Sequence, residues 1–112
     1  MSRFSIPSYN PAMQDYYVYM LASKRNGTLY TGMTEELGKR VVRHKDRRAN
    51  EFTAKYDVLK LVYYEKYKSQ KEAIKREKQV KKWRRQWKIK LIEKQNPEWD
   101  DLFSELINGT KI

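Results

Sequence analysis

Arg40 and His44 stand four residues apart in a stretch of helical spacing, so both side chains can face one site. A guanidinium placed there can stabilise charge on a phosphate. His44 is the chain's single histidine, and an imidazole at such a point can move a proton or position a water; a packing or surface role is the alternative. Glu77 falls between Ile74 and Val80 on an apolar helical stripe. A carboxylate in that position needs a partner, because unpaired burial is costly or raises its pKa. A neighbouring Lys or Arg would serve. Tyr19 and Tyr30 are phenols that titrate near ~10, poor bases unless a cation lowers them. With nine tyrosines in the chain, packing in a sheet is the alternative for both.

The elements that must position these groups follow from period and punctuation. Tyr16 to Ala22 is rich in aromatic and branched residues on both faces, as in a central strand. Lys24 to Gly27 is a turn, with Asn26-Gly27 favouring positive φ, and Thr28 to Met33 returns as a second strand. Gly32 removes a side chain where a backbone or a phosphate can come close. Thr34 can cap the next helix, where Leu37, Val41 and His44 recur at helical spacing. That helix is expected to fade near Arg47 to Asn50. Phe52 to Asp57 reads as a loop and Leu59 to Tyr67 as a third strand. Ser69 with Glu72 is a capping-box pattern. The helix it opens carries Ala73, Ile74, Val80, Trp83 and Trp87 on one stripe and runs to about Gln95, with a break expected near Trp83 to Gln86. Asn96-Pro97 ends it, and a short terminal helix is expected within Glu98 to Leu106.

This order, β-β-α-β-α-α, predicts an α+β fold: a small, three-stranded, mainly antiparallel sheet flanked by helices. At 112 residues the chain is expected to hold one domain, at 15–95, with a mobile arm at 1–14 and an extension at 96–112. It has no cysteine and no long apolar run, which excludes a disulfide framework, a thiolate metal site and a spanning helix. A cytoplasmic location with no membrane partner is expected.

The formal charge is +11, and residues 60–95 carry 14 Lys or Arg against 4 acids. Such a field suits a polyanion, DNA or RNA. Lys75, Lys78, Lys81, Lys82, Arg84 and Arg85 are the candidate phosphate contacts, giving affinity without sequence reading. Trp83, Trp87 and Trp99 can stack bases, but Trp83 and Trp87 share their stripe with Ile74 and Val80, which assigns them to core packing. The field also suits an acidic protein partner.

Tyr17-Val18-Tyr19 and Tyr30-Thr31-Gly32 flank the Asn26-Gly27 turn, and Arg40, His44 and Glu77 follow on predicted helices. This order resembles the GIY-YIG nuclease superfamily, named after its two tripeptides. Phe52-Thr53-Ala54-Lys55-Tyr56 and the run Lys75-Arg76-Glu77-Lys78-Gln79-Val80-Lys81-Lys82-Trp83-Arg84 are similar to its small single-domain members, related to the nuclease domain of the bacterial excinuclease. The resemblance implies the same fold and phosphodiester hydrolysis with one divalent metal, Mg2+ or Mn2+. It implies that Glu77 holds the metal, that Arg40 stabilises the scissile phosphate, that Tyr19 activates the attacking water and that Tyr30 orients water or phosphate. His44 matches a point where relatives place histidine or tyrosine. The chain departs from the pattern at Tyr17, where the family name has glycine, and at Met33, where many relatives have lysine.

Overall fold

The computed structural model describes residues 15–46 and 57–109; the expected arm at 1–14 and the Phe52 to Tyr56 stretch lie outside them. Three strands form one antiparallel sheet: β1 (Tyr16–Ala22), β2 (Leu29–Thr34) and β3 (Lys60–Tyr67), in the order β2-β1-β3. Helix α1 (Leu37–Lys45) links β2 to β3, and α2 (Gln70–Lys81), α3 (Arg85–Gln95) and α4 (Phe103–Gly109) follow. The α+β architecture expected from the element order is the one observed.

β1 is central, and its alternating side chains divide the core in two. Tyr17, Tyr19 and Leu21 pack with Leu37 and Val41 of α1, with Val58 and Leu61, and with Leu106 of α4. Met20 and Ala22 face the other way, onto Val80, Ile92, Trp99, Val62 and Tyr63. β1 pairs Met20 with Tyr63 but Leu21 with Leu61, so a bulge falls at Val62. The extra residue lets Leu61 join the first core while Val62 and Tyr63 join the second. Leu37, Val41 and His44 are the buried residues of α1, as their spacing predicts.

Helix α2 opens on the Ser69 cap, whose hydroxyl accepts the Glu72 N–H at 3.2 Å. Arg76 ties it to the sheet. Its Nε and Nη2 donate to the two carboxylate oxygens of Glu65 at 2.8 and 3.3 Å, and the hydroxyls of Tyr63 and Tyr67 donate to the same carboxylate. Burial raises the Glu65 pKa, but these hydrogen bonds outweigh it and hold the carboxyl below its ordinary value.

Four local expectations are corrected. Thr34 does not cap α1: the cap position is Glu36, without a side-chain bond, and Thr34 Oγ1 accepts the Glu36 N–H at 3.1 Å, closing the turn before the helix. In the hairpin only Asn26 takes positive φ (57°). Gly27 is required for space, since a Cβ there would meet Ser23 Oγ at 2.2 Å. Gly32 makes room for neither backbone nor phosphate: a Cβ there would lie 2.7 Å from the Tyr19 hydroxyl oxygen. The terminal helix starts later than expected because side chains hold the preceding residues in turns. Asn96 Oδ1 accepts the Asp100 N–H at 3.1 Å, and Asp101 Oδ1 accepts the Leu61 and Phe103 N–H groups at 3.1 and 3.0 Å.

Candidate active site

Register places the site. Antiparallel pairing sets Tyr19 opposite Gly32 and Leu21 opposite Tyr30, so Tyr19 and Tyr30 project from the same face, the one that α1 covers. α1 then brings His44 onto both phenols. Ring centroids are 4.8 Å apart for Tyr30 and His44, 5.8 Å for Tyr19 and His44, and 6.2 Å for Tyr19 and Tyr30. The Tyr19 hydroxyl and His44 Nε2 share a hydrogen bond of 2.9 Å. Tyr30 and Arg40 also stand within hydrogen-bonding reach of that phenol.

These four residues differ in access. Tyr19 and His44 are buried, while Tyr30 and Arg40 are half-buried and reach the solvent side. Burial raises the Tyr19 pKa well above that of a free phenol; Tyr30 adds to this, and Arg40 offsets only part of it. Tyr19 is therefore a neutral phenol at neutral pH. Burial, with the charges of Arg40 and Arg43, lowers His44 to about 4, so its imidazole is neutral as well. A neutral imidazole beside a phenol can accept its hydrogen bond, provided Nε2 carries the lone pair.

Arg40 opens onto a groove of about 230 Å³ lined by Thr34, Glu35, Glu36, Lys39, Arg40 and Arg43. Lys39 pairs with Glu36 at 3.1 Å, and Glu35 also lines the groove, so its pull on a phosphate rests on Arg40 and Arg43. Lys39 and Arg43 were not singled out in the sequence. Their spacing around Arg40, one residue before and three after, was the available signal.

Glu77 is not in this cluster. It sits on α2 between the buried residues Ala73 and Val80, and Val80 belongs to the core on the opposite face of the sheet. α2 nevertheless crosses β1 and β2, the strands that carry the two tyrosines. The Glu77 side chain is only 18% exposed, and its Oε2 pairs with Lys81 Nζ at 3.0 Å. Among the described residues no group of three or more His, Asp or Glu side chains could enclose a metal ion.

The six basic candidates take different roles. Lys75, Lys78 and Lys82 are exposed, and Lys81 is exposed while paired to Glu77. Arg85 Nη2 donates to the carbonyls of Asn26 and Gly27 at 2.5 and 2.6 Å, bracing the β1–β2 hairpin. Arg84 lies over the ring of Trp87 at 5.6 Å. Trp83 is partly buried against the second core and Trp99 is fully buried. Trp87 contradicts its core assignment at 49% exposed, because the chain breaks helix at Lys82–Arg84 and α3 buries only Ile92.

A family model described as the GIY-YIG catalytic domain matches residues 15–90. A UPF0213 protein of Staphylococcus saprophyticus is 36% identical over 80 residues, which cover 71% of this chain and 96% of that protein. A UPF0213 protein of Staphylococcus haemolyticus is 37% identical over 81 residues, covering 72% and 98%. Among solved structures, the solution NMR structure of a UPF0213 protein from Bacillus halodurans matches with a TM-score of 0.50 and 26% identity, over 78% of this chain and 92% of that one. Among the described residues no helix is long and apolar enough to cross a membrane. The match spans both strands of the hairpin, α1, β3, α2 and the first turns of α3, and the chain belongs to the GIY-YIG family.

Proposed function

We propose that this protein is a nucleic-acid-binding endonuclease that hydrolyses phosphodiester bonds with one divalent cation, Mg2+ or Mn2+. The observation that supports this reading best is the meeting of Tyr19, Tyr30, Arg40 and His44 around one phenol, beside a groove whose cations suit a phosphate. Family membership supports a nucleic-acid substrate.

In this reading a phosphate enters along Lys39, Arg40 and Arg43. The Arg40 guanidinium then stabilises the charge that grows on the phosphoryl oxygens as water attacks phosphorus. Tyr30, on the solvent side, holds the attacking water. The Tyr19 hydroxyl, held on His44 Nε2, and Tyr30 orient the water. As its oxygen bonds to phosphorus, the bond from phosphorus to the leaving sugar oxygen breaks, and the water's proton passes by way of the Tyr30 hydroxyl to that leaving oxygen. His44, neutral at rest and held at about 4, serves the Tyr19 phenol as a hydrogen-bond acceptor that fixes its orientation.

The residues present fit a hard cation on modest terms. Glu77 offers one half-buried carboxylate whose ion-pair partner among the described residues is the exposed Lys81, which a cation can displace. Waters and the substrate's own phosphate would complete its shell, and the cation would supply Lewis-acid stabilisation of the phosphoryl group.

A second reading, a DNA- or RNA-binding module with a silent site, is favoured by the burial of Tyr19 and His44 and by the Lys81 pair on Glu77. Labelled DNA and RNA substrates, duplex, branched and single-stranded, incubated with and without Mg2+ separate the two. Strand scission that needs Mg2+ and disappears in Glu77→Ala supports the endonuclease. Binding without scission on every substrate supports the module.

A further inference from the structure

Hydrolysis as proposed leaves Trp87 without a task. A tryptophan is highly buried on average, as Trp99 is here; Trp87 keeps 49% of its surface open. It is also held in place. Its ring meets Trp83 edge-on, with centroids 6.0 Å apart and planes at 80°. Trp83 in turn lies under the Arg76 guanidinium, at 5.0 Å, and Arg76 is fixed to Glu65 of β3. A rigid ladder therefore runs from the sheet outward through Arg76 and Trp83 to Trp87, with Arg84 over the outermost ring.

The surroundings of that ring are cationic. Lys81, Lys82, Arg84, Arg85 and Lys88 fall within one break and the turns on either side of it. Burial and the charges of Arg85 and Lys81 lower the Lys88 pKa, as expected where positive charge gathers without enough counter-charge. A phosphate chain would relieve that crowding. An exposed indole with one guanidinium over it, in a stretch of chain this rich in cations, is complementary to one chemistry in particular, a base joined to a phosphate backbone. A base inside a paired duplex presents no free face, so the ring selects for one that is unpaired.

We propose that Trp87 is a stacking platform for an unpaired base of a nucleic acid whose flanking phosphates lie on Lys81, Lys82, Arg84 and Lys88. The inference rests on the endonuclease reading and deepens it, naming the substrate class as nucleic acid with an overhang, bulge or branch rather than uninterrupted duplex.

The test is equilibrium binding of the full-length protein without divalent cation, so that affinity is read apart from scission. The probes are one blunt duplex and the same duplex with a short single-stranded overhang. The parent is expected to bind the overhang more tightly, with quenching of tryptophan fluorescence. Trp87→Ala is expected to lose about 5- to 150-fold on the overhang, the range that base stacking spans, and little on the blunt duplex. Trp87→Phe is expected to recover part of the loss, and the slope of affinity against salt should stay the same, since no charge has changed. Thermal melts of both variants guard against misfolding. Equal losses on the two probes, or none, would overturn the proposal. So would quenching that grows with protein concentration alone, which marks a contact between copies, or equal quenching by an acidic peptide. A protein that prefers the overhang through Trp87 yet never cuts would sink the hydrolytic reading and leave this one standing.

Discussion

The Tyr19 hydroxyl stands 2.9 Å from His44 Nε2 in the interior, and the other ring nitrogen of His44, Nδ1, is buried with no hydrogen-bond partner among the described residues. An imidazole in that position resists a proton. Its folded pKa is about 4 against roughly 6.5 in an unfolded chain. Between those values the unfolded chain binds more protons than the fold, so stability is full above about 6.5, falls as the pH drops, and levels off below about 4. The effect is at most about 3 kcal/mol. Urea midpoints across this window should fall in the parent and stay flatter in His44→Gln, measured with the charges of Arg40 and Arg43 still in place. Parallel curves would mean that His44 does not titrate as its burial requires.

Gly32→Ala should damage the site from behind. The new Cβ would meet the Tyr19 hydroxyl oxygen at 2.7 Å and Cζ at 2.8 Å, and Tyr19 is fully buried. Overpacking of this kind costs about 1–3 kcal/mol. The ring must also leave His44, so any scission should fall further than stability alone explains. Thermal melts and a scission assay on the same variant check both parts; a parent-like melt would mean that the phenol yields more easily than its packing indicates.

Legibility followed range along the chain. The period of Leu37, Val41 and His44, the Ser69 cap and the stop at Asn96-Pro97 are local patterns, and each appears where the residues put it. What failed depends on distant partners. Gly27 is needed because Ser23 comes back across the turn, and Trp87 is exposed because the helix breaks before it and α3 leans on the sheet chiefly through Ile92. The brace from Arg76 to Glu65 joins a helix to a strand through two side chains with no shared period. Tyr19, Tyr30, Arg40 and His44 could be grouped from the order of two tripeptides and a helix, but the burial that separates the first and last from the other two was written in no local pattern.

Arg40→Ala should separate chemistry from binding. Its guanidinium lies among three cations lining the same groove, so affinity should fall only a few-fold. Removal of one donor aimed at developing charge typically costs about 10²–10³-fold in rate. Arg40→Lys keeps the charge but not the planar fork, and should recover binding more than turnover. Single-turnover rates and binding curves on one substrate are the measurement. Equal losses in both quantities would assign Arg40 to docking alone.

The last described turns belong to the domain's interior, and their removal should show it. Trp99 is fully buried in the second core and Leu106 closes the first, while Asp101 pairs with Lys45 of α1 at 2.7 Å. Trp99→Ala should cost about 3–5 kcal/mol, as large aromatic deletions do. Truncation after Gln95 should cost more and broaden the melt. A truncated protein that melts like the parent would make 96–112 a true appendage.

Glu77→Gln decides the most. Lys81 is 53% exposed, and an exposed i,i+4 pair contributes about 0.3–0.5 kcal/mol. The variant should therefore melt close to the parent when no divalent cation is present. If Glu77 holds the cation, Mg2+ should raise the parent's melting temperature by mass action, with about 1.4 kcal/mol gained at ten times the dissociation constant. Glu77→Gln should show no such rise and no scission, though it keeps the side chain's volume and its affinity for nucleic acid. The opposite pattern has an equally clear meaning. A large loss of stability in the absence of Mg2+, with the parent's Mg2+ response retained, would make Glu77 a structural partner of Lys81 and move any cation to another part of the molecule.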